Sequence, residues 1–341
     1  MNQDRQGILA AGNFIVDRIK RIDAYPAENM LANIESESRS NGGGPYNVLK
    51  DLSAMGVGYP LMAAGRIGDD ADGEWIVDDC QQHGIDPALL LKDPVQSTSY
   101  TDVMTVAETG RRTFFHRRGA NAAFEGKRID FEQCPARIFH LAYLLLLDGL
   151  DVFAPDGRTQ ASHLLEKAST AGLVTSIDIV STENPVFREI VMSALPYADH
   201  LLINEVEAGR TLGRDVDPQD VPAIEKAARE LLEMGVRQAV VLHTEFGAVR
   251  VDVHGGVFFQ GSVKVPSKLI QGANGAGDGF AAGYLHGVHE GFTPEKSLEA
   301  AACVAAACLS DSSPSRGVKT IAKCLKLGRG FGFSSDPTSA L

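Results

Sequence analysis

The chain has 341 residues, of which 44% are hydrophobic and 22% charged, enough apolar material for a substantial core and too much for a disordered polymer. Its formal net charge of −12 argues against a nucleic-acid-binding face, so no nucleic-acid partner is expected. Five cysteines, Cys80, Cys134, Cys303, Cys308 and Cys324, are scattered with no Cys-Xaa-Xaa-Cys pair, which predicts buried thiols in a reducing compartment rather than a disulfide framework.

In chain order, residues 1–7 are polar and the apolar run 8–15 is broken by Gly12 and Asn13, unlike a secretory signal. The longest apolar run, 138–147, is interrupted by His140 and is too short to span a bilayer. A soluble cytoplasmic protein with no membrane partner is the expectation. Strands are predicted at 8–11, 61–65, 137–142, 174–179, 200–203 and 239–243, with amphipathic helical segments between them. That alternation is the pattern of a mainly parallel sheet covered by helices. Val48, Leu52 and Met55 share a helical face after Pro45, while Trp75, Ile76 and Cys80 follow the Asp69-Asp70 turn. Segments 14–40 and 97–118 alternate in a strand-like way with many polar residues, which suits hairpins outside the main sheet. The second carries Arg111-Arg112 and Arg117-Arg118 around Thr113-Phe114-Phe115-His116, read as exposed strand positions or contacts to an anionic ligand. Segments 249–253 and 257–263, separated by His254-Gly255-Gly256, read as a further hairpin.

The most informative stretch is Gly272-Ala-Asn-Gly-Ala-Gly-Asp-Gly-Phe280. Phe280, Ala281, Tyr284, Leu285 and Val288 recur at helical spacing, so Gly275, Ala276, Gly277 and Asp278 should form the first helical turn. Free N–H groups there, with the positive end of the helix dipole, make an anion cradle that glycine lets a phosphate approach. Asp278 inside such a cradle would repel the ligand unless it has a task, such as taking a proton from an attacking hydroxyl. His286 and His289, three apart on the same helix, are expected to be exposed, since no third metal ligand is apparent. No Gly-Xaa4-Gly-Lys-Ser/Thr loop and no His-Glu-Xaa-Xaa-His motif occurs.

This constellation resembles the ribokinase family, the PfkB-type sugar and nucleoside kinases, whose signature reads Asp-Thr-Xaa-Gly-Ala-Gly-Asp-Xaa-Phe. Gly275, Ala276, Gly277, Asp278 and Phe280 agree; Gly272 and Ala273 stand where the family usually has Asp and Thr. The missing carboxylate supports a monovalent-cation site in the family, so the resemblance does not carry potassium activation to this chain. Gly42-Gly43-Gly44-Pro45-Tyr46-Asn47 is similar to the family's sugar-binding element, which implies that Gly42 and Gly43 admit sugar hydroxyls and that Asn47 bonds to them. Asp17 matches the early substrate carboxylate. Asn204 and Glu207 match the Asn-Xaa-Xaa-Glu element near the triphosphate and its Mg²⁺, which Glu207 would reach through water. Thr244 and Gly247 lie in the place of the nucleotide loop, although Leu242 and Thr244 depart from its usual Thr and Gly, and Cys303 stands where an Asn near adenine is common.

The resemblance implies a ribokinase-like three-layer α/β/α sandwich around a mainly parallel sheet, with a small β-sheet lid. Residues 1–13, 41–96 and 119–327 would form the kinase core, 14–40 and 97–118 the lid, and 328–341 a tail outside the core. It implies ATP-dependent phosphorylation of a hydroxyl of a small sugar or sugar acid, Asp278 as general base, an anion hole at Gly275, Ala276 and Gly277, ATP and Mg²⁺ as cofactors, and a homodimer formed through the lid. A nucleoside kinase stays open, because Asn274 also occurs in adenosine-kinase-like sequences, as does a non-catalytic sugar or nucleotide sensor on the same fold. His116, Arg117 and Arg118 leave room for an acidic sugar.

Overall fold

The computed structural model describes residues 5–335, so residues 1–4 of the expected core and 336–341 of the expected tail lie outside the described residues. The strands are β1 Ile8–Gly12, β2 Ile15–Ile22, β3 Ile34–Gly42, β4 Leu61–Gly68, β5 Ile85–Asp93, β6 Ser99–Val106, β7 Arg112–Arg117, β8 Ile138–Leu144, β9 Val174–Ile179, β10 His200–Asn204, β11 Ala239–His243, β12 Gly247–Asp252 and β13 Val257–Gly261. The helices are α1 Gly44–Met55, α2 Ala71–Gln82, α3 Asp148–Asp151, α4 Gln160–Thr170, α5 Phe187–Ala194, α6 Glu205–Leu212, α7 Val221–Glu233, α8 Ala276–Glu290, α9 Pro294–Cys308 and α10 Ile321–Phe331.

The main sheet has nine strands in the order β13-β12-β11-β10-β9-β8-β1-β4-β5. Its strands run parallel from β11 to β5, and the antiparallel hairpin β12-β13 closes one edge. Successive side chains of a strand point to opposite faces, and β1 shows how this divides the core. Leu9 and Ala11 join one apolar cluster with Leu165, Ile190, Ala208 and Leu231 of α4, α5, α6 and α7. Ile8 and Ala10 join the other with Leu49, Ile76, Leu285, Val304 and Cys324 of α1, α2, α8, α9 and α10. A sheet buried on both faces under two helical layers is the three-layer α/β/α sandwich.

A second sheet of four strands, β3-β2-β6-β7, stands apart. The hairpins β2-β3 and β6-β7 join through parallel pairing of β2 with β6. Much of β3 and β7 is exposed, in keeping with their polar composition.

Three expectations change. Strand β5 joins the strands expected from sequence, although Pro87 interrupts its pattern; on a sheet edge the missing N–H costs no ladder bond. Helix α10 runs through Gly328 to Phe331, and a Cβ on Gly328 would lie 2.2 Å from Cys303 Sγ, so the chain stays packed past the boundary expected for the tail. His286 and His289 are buried rather than exposed: His286 Nδ1 lies 3.1 Å from the Tyr59 hydroxyl, and His289 Nε2 accepts the Gly7 N–H at 2.9 Å. All five cysteines are free thiols, and among the described residues no helix is long and apolar enough to cross a membrane.

Candidate active site

In an open parallel sheet a crevice forms where neighbouring connections leave the carboxyl ends in opposite directions. Here that point lies between β1, which leads by way of α1 to β4 on one side, and β8, which leads to β9 on the other. The residues singled out from sequence gather around it. Asp17 lies two residues into β2, just past the end of β1. Gly42 closes β3, and a Cβ there would sit 2.3 Å from Asp17 Oδ1. Gly43 precedes α1 with φ 88°, and its Cβ would meet the Asn13 carbonyl oxygen at 2.2 Å, so only glycine fits this turn. Pro45 at the start of α1 gives up no helical bond, and Asn47 in the next turn points back into the crevice.

Gly275, whose φ of 75° is left-handed, precedes helix α8 as its N-cap, and Asp278 lies in the first turn. Asn47 Nδ2 donates to Asp278 Oδ2 at 2.8 Å, and the Tyr143 hydroxyl donates to Oδ1. Asn41 Nδ2 in turn donates to Asn47 Oδ1 at 2.7 Å, which fixes the amide orientation. Burial raises Asp278 to about 6, against the pull of Asn47 and Tyr143. Burial raises Asp17 to about 7; the Asn274 side chain opposes the rise, the Asp278 charge adds to it, and Thr101 and Arg112 oppose it. A cradle with no side chain of its own lies beside Asp278, since a Cβ on Gly277 would meet nothing closer than His243 Cε1 at 3.8 Å.

His243 leads into a cavity of about 450 Å³ lined by Thr244, Gly247, Gly277, Ala302, Ala305 and Ala306, among others. Thr244 donates its N–H to the Gly247 carbonyl at 2.8 Å, forming the tight turn between β11 and β12. Cys303 does not line this cavity. The turn of α9 aims it at Gly328 of α10, and Ala302, Ala305 and Ala306 face the space instead.

Asn204 and Glu207 cap α6 reciprocally: Glu207 N–H donates to Asn204 Oδ1 at 2.9 Å and Asn204 N–H to Glu207 Oε2 at 3.0 Å. Ser181 Oγ donates to Glu207 Oε1 at 2.8 Å, so both carboxylate oxygens are engaged. Direct coordination would break this cap, whereas a hydrated Mg²⁺ reached through water would not. Burial raises Glu207 to about 7, and Asp178 at the end of β9 is held well above the carboxylate range, by burial first and then by the charges of Glu207 and Asp278. Asp178 thus feels the charges of two other buried acids, a repulsion that a divalent cation beside it would offset. Among the described residues no group of three or more His, Cys, Asp or Glu side chains is placed to hold a metal ion by itself.

Sequence reasoning missed Tyr143, Asp178 and Asp51. The first two lie at the carboxyl ends of the apolar strands β8 and β9, the positions that a parallel-sheet reading marks for function. Asp51, one helical turn beyond Asn47, gave no signal: both its oxygens are buried with no hydrogen bond of good geometry, and burial, opposed by the nearby Ser315 side chain and reinforced by the Asp278 charge, lifts it well above the usual carboxylate range. A group raised in the folded state is stabilising below its unfolded pKa and loses that contribution as pH rises. Asp51→Asn is therefore expected to raise Tm by a few degrees at pH 8 and by less at pH 5, measured by thermal denaturation at both. An equal shift at the two pH values would show that Asp51 does not titrate this way.

The family described as pfkB family carbohydrate kinase matches residues 6–321. The 5-dehydro-2-deoxygluconokinase of Geobacillus thermodenitrificans is 22% identical over 321 residues, covering 92% of this chain and 90% of that protein. The solved structure of Arabidopsis thaliana ribokinase complexed with ribose and ATP superposes with a TM-score of 0.78 at 21% identity, covering 95% of this chain and 98% of that one. The nucleoside kinase of Methanocaldococcus jannaschii superposes with a TM-score of 0.73 at 16% identity, covering 95% and 98%.

Proposed function

We propose that this chain, which belongs to the pfkB family of carbohydrate kinases, transfers a phosphoryl group from ATP to a hydroxyl of a small sugar or sugar acid. The observation that carries the reading is the position of Asp278: a buried carboxylate aimed by Asn47 and Tyr143, in the first turn of a helix whose glycine cradle opens on a nucleotide-sized cavity. Asp17, Gly42, Gly43 and Asn47 would hold the sugar, with Asp17 accepting hydroxyl bonds. Thr244 and Gly247 would border the nucleotide.

The acceptor hydroxyl gives its proton to Asp278 as its oxygen bonds to the γ-phosphorus, and the bond from that phosphorus to the β–γ bridging oxygen breaks to release ADP. The N–H groups at Gly275, Ala276 and Gly277 receive the charge that develops on the transferred group. Mg²⁺, when bound, neutralises phosphate oxygens, and Asn204 and Glu207, with Asp178 beside them, would hold its water shell.

The test is Mg-ATP-dependent ADP release across sugars, sugar acids and nucleosides, with Asp278→Asn as control. Sugar-dependent turnover lost in the variant supports the reading. Preference for nucleosides would move it to the sister activity of the family, and silence across the panel with ligand binding retained would replace it with a sensor.

The pH profile follows from the acids. Asp278 must be ionised to act as base, so kcat/KM is expected to rise with pH through about 6 and to fall about tenfold per unit below it. If Asp17 must also be ionised, its position near 7 steepens that acid limb toward a hundredfold per unit. A flat profile from pH 5 to 8 would remove Asp278 as the base.

We also infer a homodimer through the lid. Ile34 of β3 and Phe114 and Phe115 of β7, with Met30 and Leu31 in the connection between β2 and β3, stand exposed at the two edges of the small sheet, Phe114 and Phe115 on opposite faces, apolar area that a second copy would cover. Light scattering on the wild type and on Phe114→Ser/Phe115→Ser tests it; a monomeric wild type would end the assignment.

A further inference from the structure

Among the cations of the lid sheet, Arg112 differs from its neighbours. Arg18 and Arg39 pair with Asp72, Lys20 with Asp102 and Arg21 with Glu35. Among the described residues Arg112 has no ion-pair partner and no side-chain hydrogen bond, yet its guanidinium is half-buried. Burial of a charge is costly unless a partner answers it. Its Nη2 would lie 2.1 Å, and its Cζ 3.3 Å, from a Cβ on Gly272, so the absence of a side chain at Gly272 is what lets the guanidinium reach from the lid to the loop that leads into α8.

Asp17 is the carboxylate whose charge Arg112 feels. It does not serve as a closed ion-pair partner, because a tight bidentate pair would hold Asp17 well below the ordinary carboxylate range, and Asp17 stands at about 7. By strand register Arg112 opposes Thr105, which lies on the same face of the lid sheet as Thr101 and its partner Asp17, so the arginine and Asp17 face the same side. The residues that the sequence offered for an acidic sugar already have polar partners. Arg118 pairs with Asp148 at 2.6 Å, Arg117 Nε donates to Ser97 Oγ at 3.1 Å, and His116 Nδ1 lies 3.0 Å from Thr101 Oγ1. Burial also lowers His116 to about 4, which leaves it uncharged near neutrality.

We infer that Arg112 is the specificity residue of the substrate site and receives the carboxylate of a sugar acid. A planar guanidinium fork matches a carboxylate in geometry, and a single uncommitted cation matches a single negative charge better than the two of a sugar phosphate. The inference rests on the kinase reading above and narrows its substrate class. The 5-dehydro-2-deoxygluconokinase among the relatives is named for a substrate of this class.

The experiment compares gluconate and 5-dehydro-2-deoxygluconate with ribose, fructose and fructose 6-phosphate, by ADP release and, without ATP, by calorimetric binding. It uses the wild type, Arg112→Gln and Arg112→Lys. The wild type is expected to prefer an acid over the neutral sugars, and Arg112→Gln to lower that preference by about 10- to 100-fold, mainly through KM, since a charge-assisted bond is worth that much. Arg112→Lys, which keeps the charge without the fork, recovers part of the loss. A preference unchanged within about twofold in Arg112→Gln, an equal loss for neutral and acidic sugars, or a wild type that favours fructose 6-phosphate or neutral sugars overturns the assignment. Acid binding that depends on Arg112 with no turnover of any compound sustains it and refutes the kinase reading.

Discussion

Asp278→Asn is expected to lower kcat by about 10²- to 10⁴-fold while leaving the fold and sugar affinity nearly intact, because a positioned general base contributes about that factor. The replacement is isosteric. Asn47 Nδ2 can still donate to the amide oxygen, so α1 and α8 remain joined across the crevice at the 2.8 Å contact. What is lost is the lone pair that takes the hydroxyl proton, together with a negative charge beside the transferred phosphoryl group. Removing that charge should hold or improve nucleotide affinity, so the deficit should fall on kcat and leave KM for ATP unchanged or lower. Steady-state kinetics with both substrates varied, alongside a melting curve, separates the effects. Turnover within about threefold of wild type would mean that Asp278 only complements the helix dipole.

Gly275→Ala is expected to reduce kcat by about 10²- to 10³-fold, the cost typical of losing one donor to a developing oxyanion. Gly275 has a φ of 75°, and a Cβ there would stand 2.6 Å from Pro314 Cβ and 2.8 Å from its Cα. A left-handed residue with a Cβ costs about 1–2 kcal/mol before any clash is counted, so the loop must shift and the N–H groups of Ala276 and Gly277 turn with it. Gly277→Ala is the informative companion. Its Cβ meets no protein atom closer than 3.8 Å, so the variant should melt like the wild type. If the space belongs to a phosphate, Gly277→Ala should still lower kcat/KM for ATP by at least about tenfold. An active Gly277→Ala would show that the cradle holds no reacting group.

The local parts of this protein are written in contiguous residues. The Gly275-Ala276-Gly277-Asp278 turn, Pro45 ahead of α1 and the Asn204–Glu207 cap each follow from turn and helix-start chemistry, which needs only a few neighbouring side chains. Apolar strand runs alternating with helical ones determine the layered class, since each element must bury what its period exposes. Periodicity carries no information about strand order, however, and strand order is what makes the site. Asn47 and Asp278 are 231 residues apart, and Tyr143 and Asp278 are 135 apart; they meet only because β1 lies between β8 and β4. The rotation of α9 decided that Ala302, Ala305 and Ala306, and not Cys303, face the cavity, and packing against Tyr59 decided that His286 and His289 are interior. Arg112 and Gly272 show the same division. In the sequence one is a basic residue on a polar strand and the other a departure from a motif; in the fold the absent side chain is the space that the guanidinium fills, because close packing couples residues by position in space and not by position in the chain.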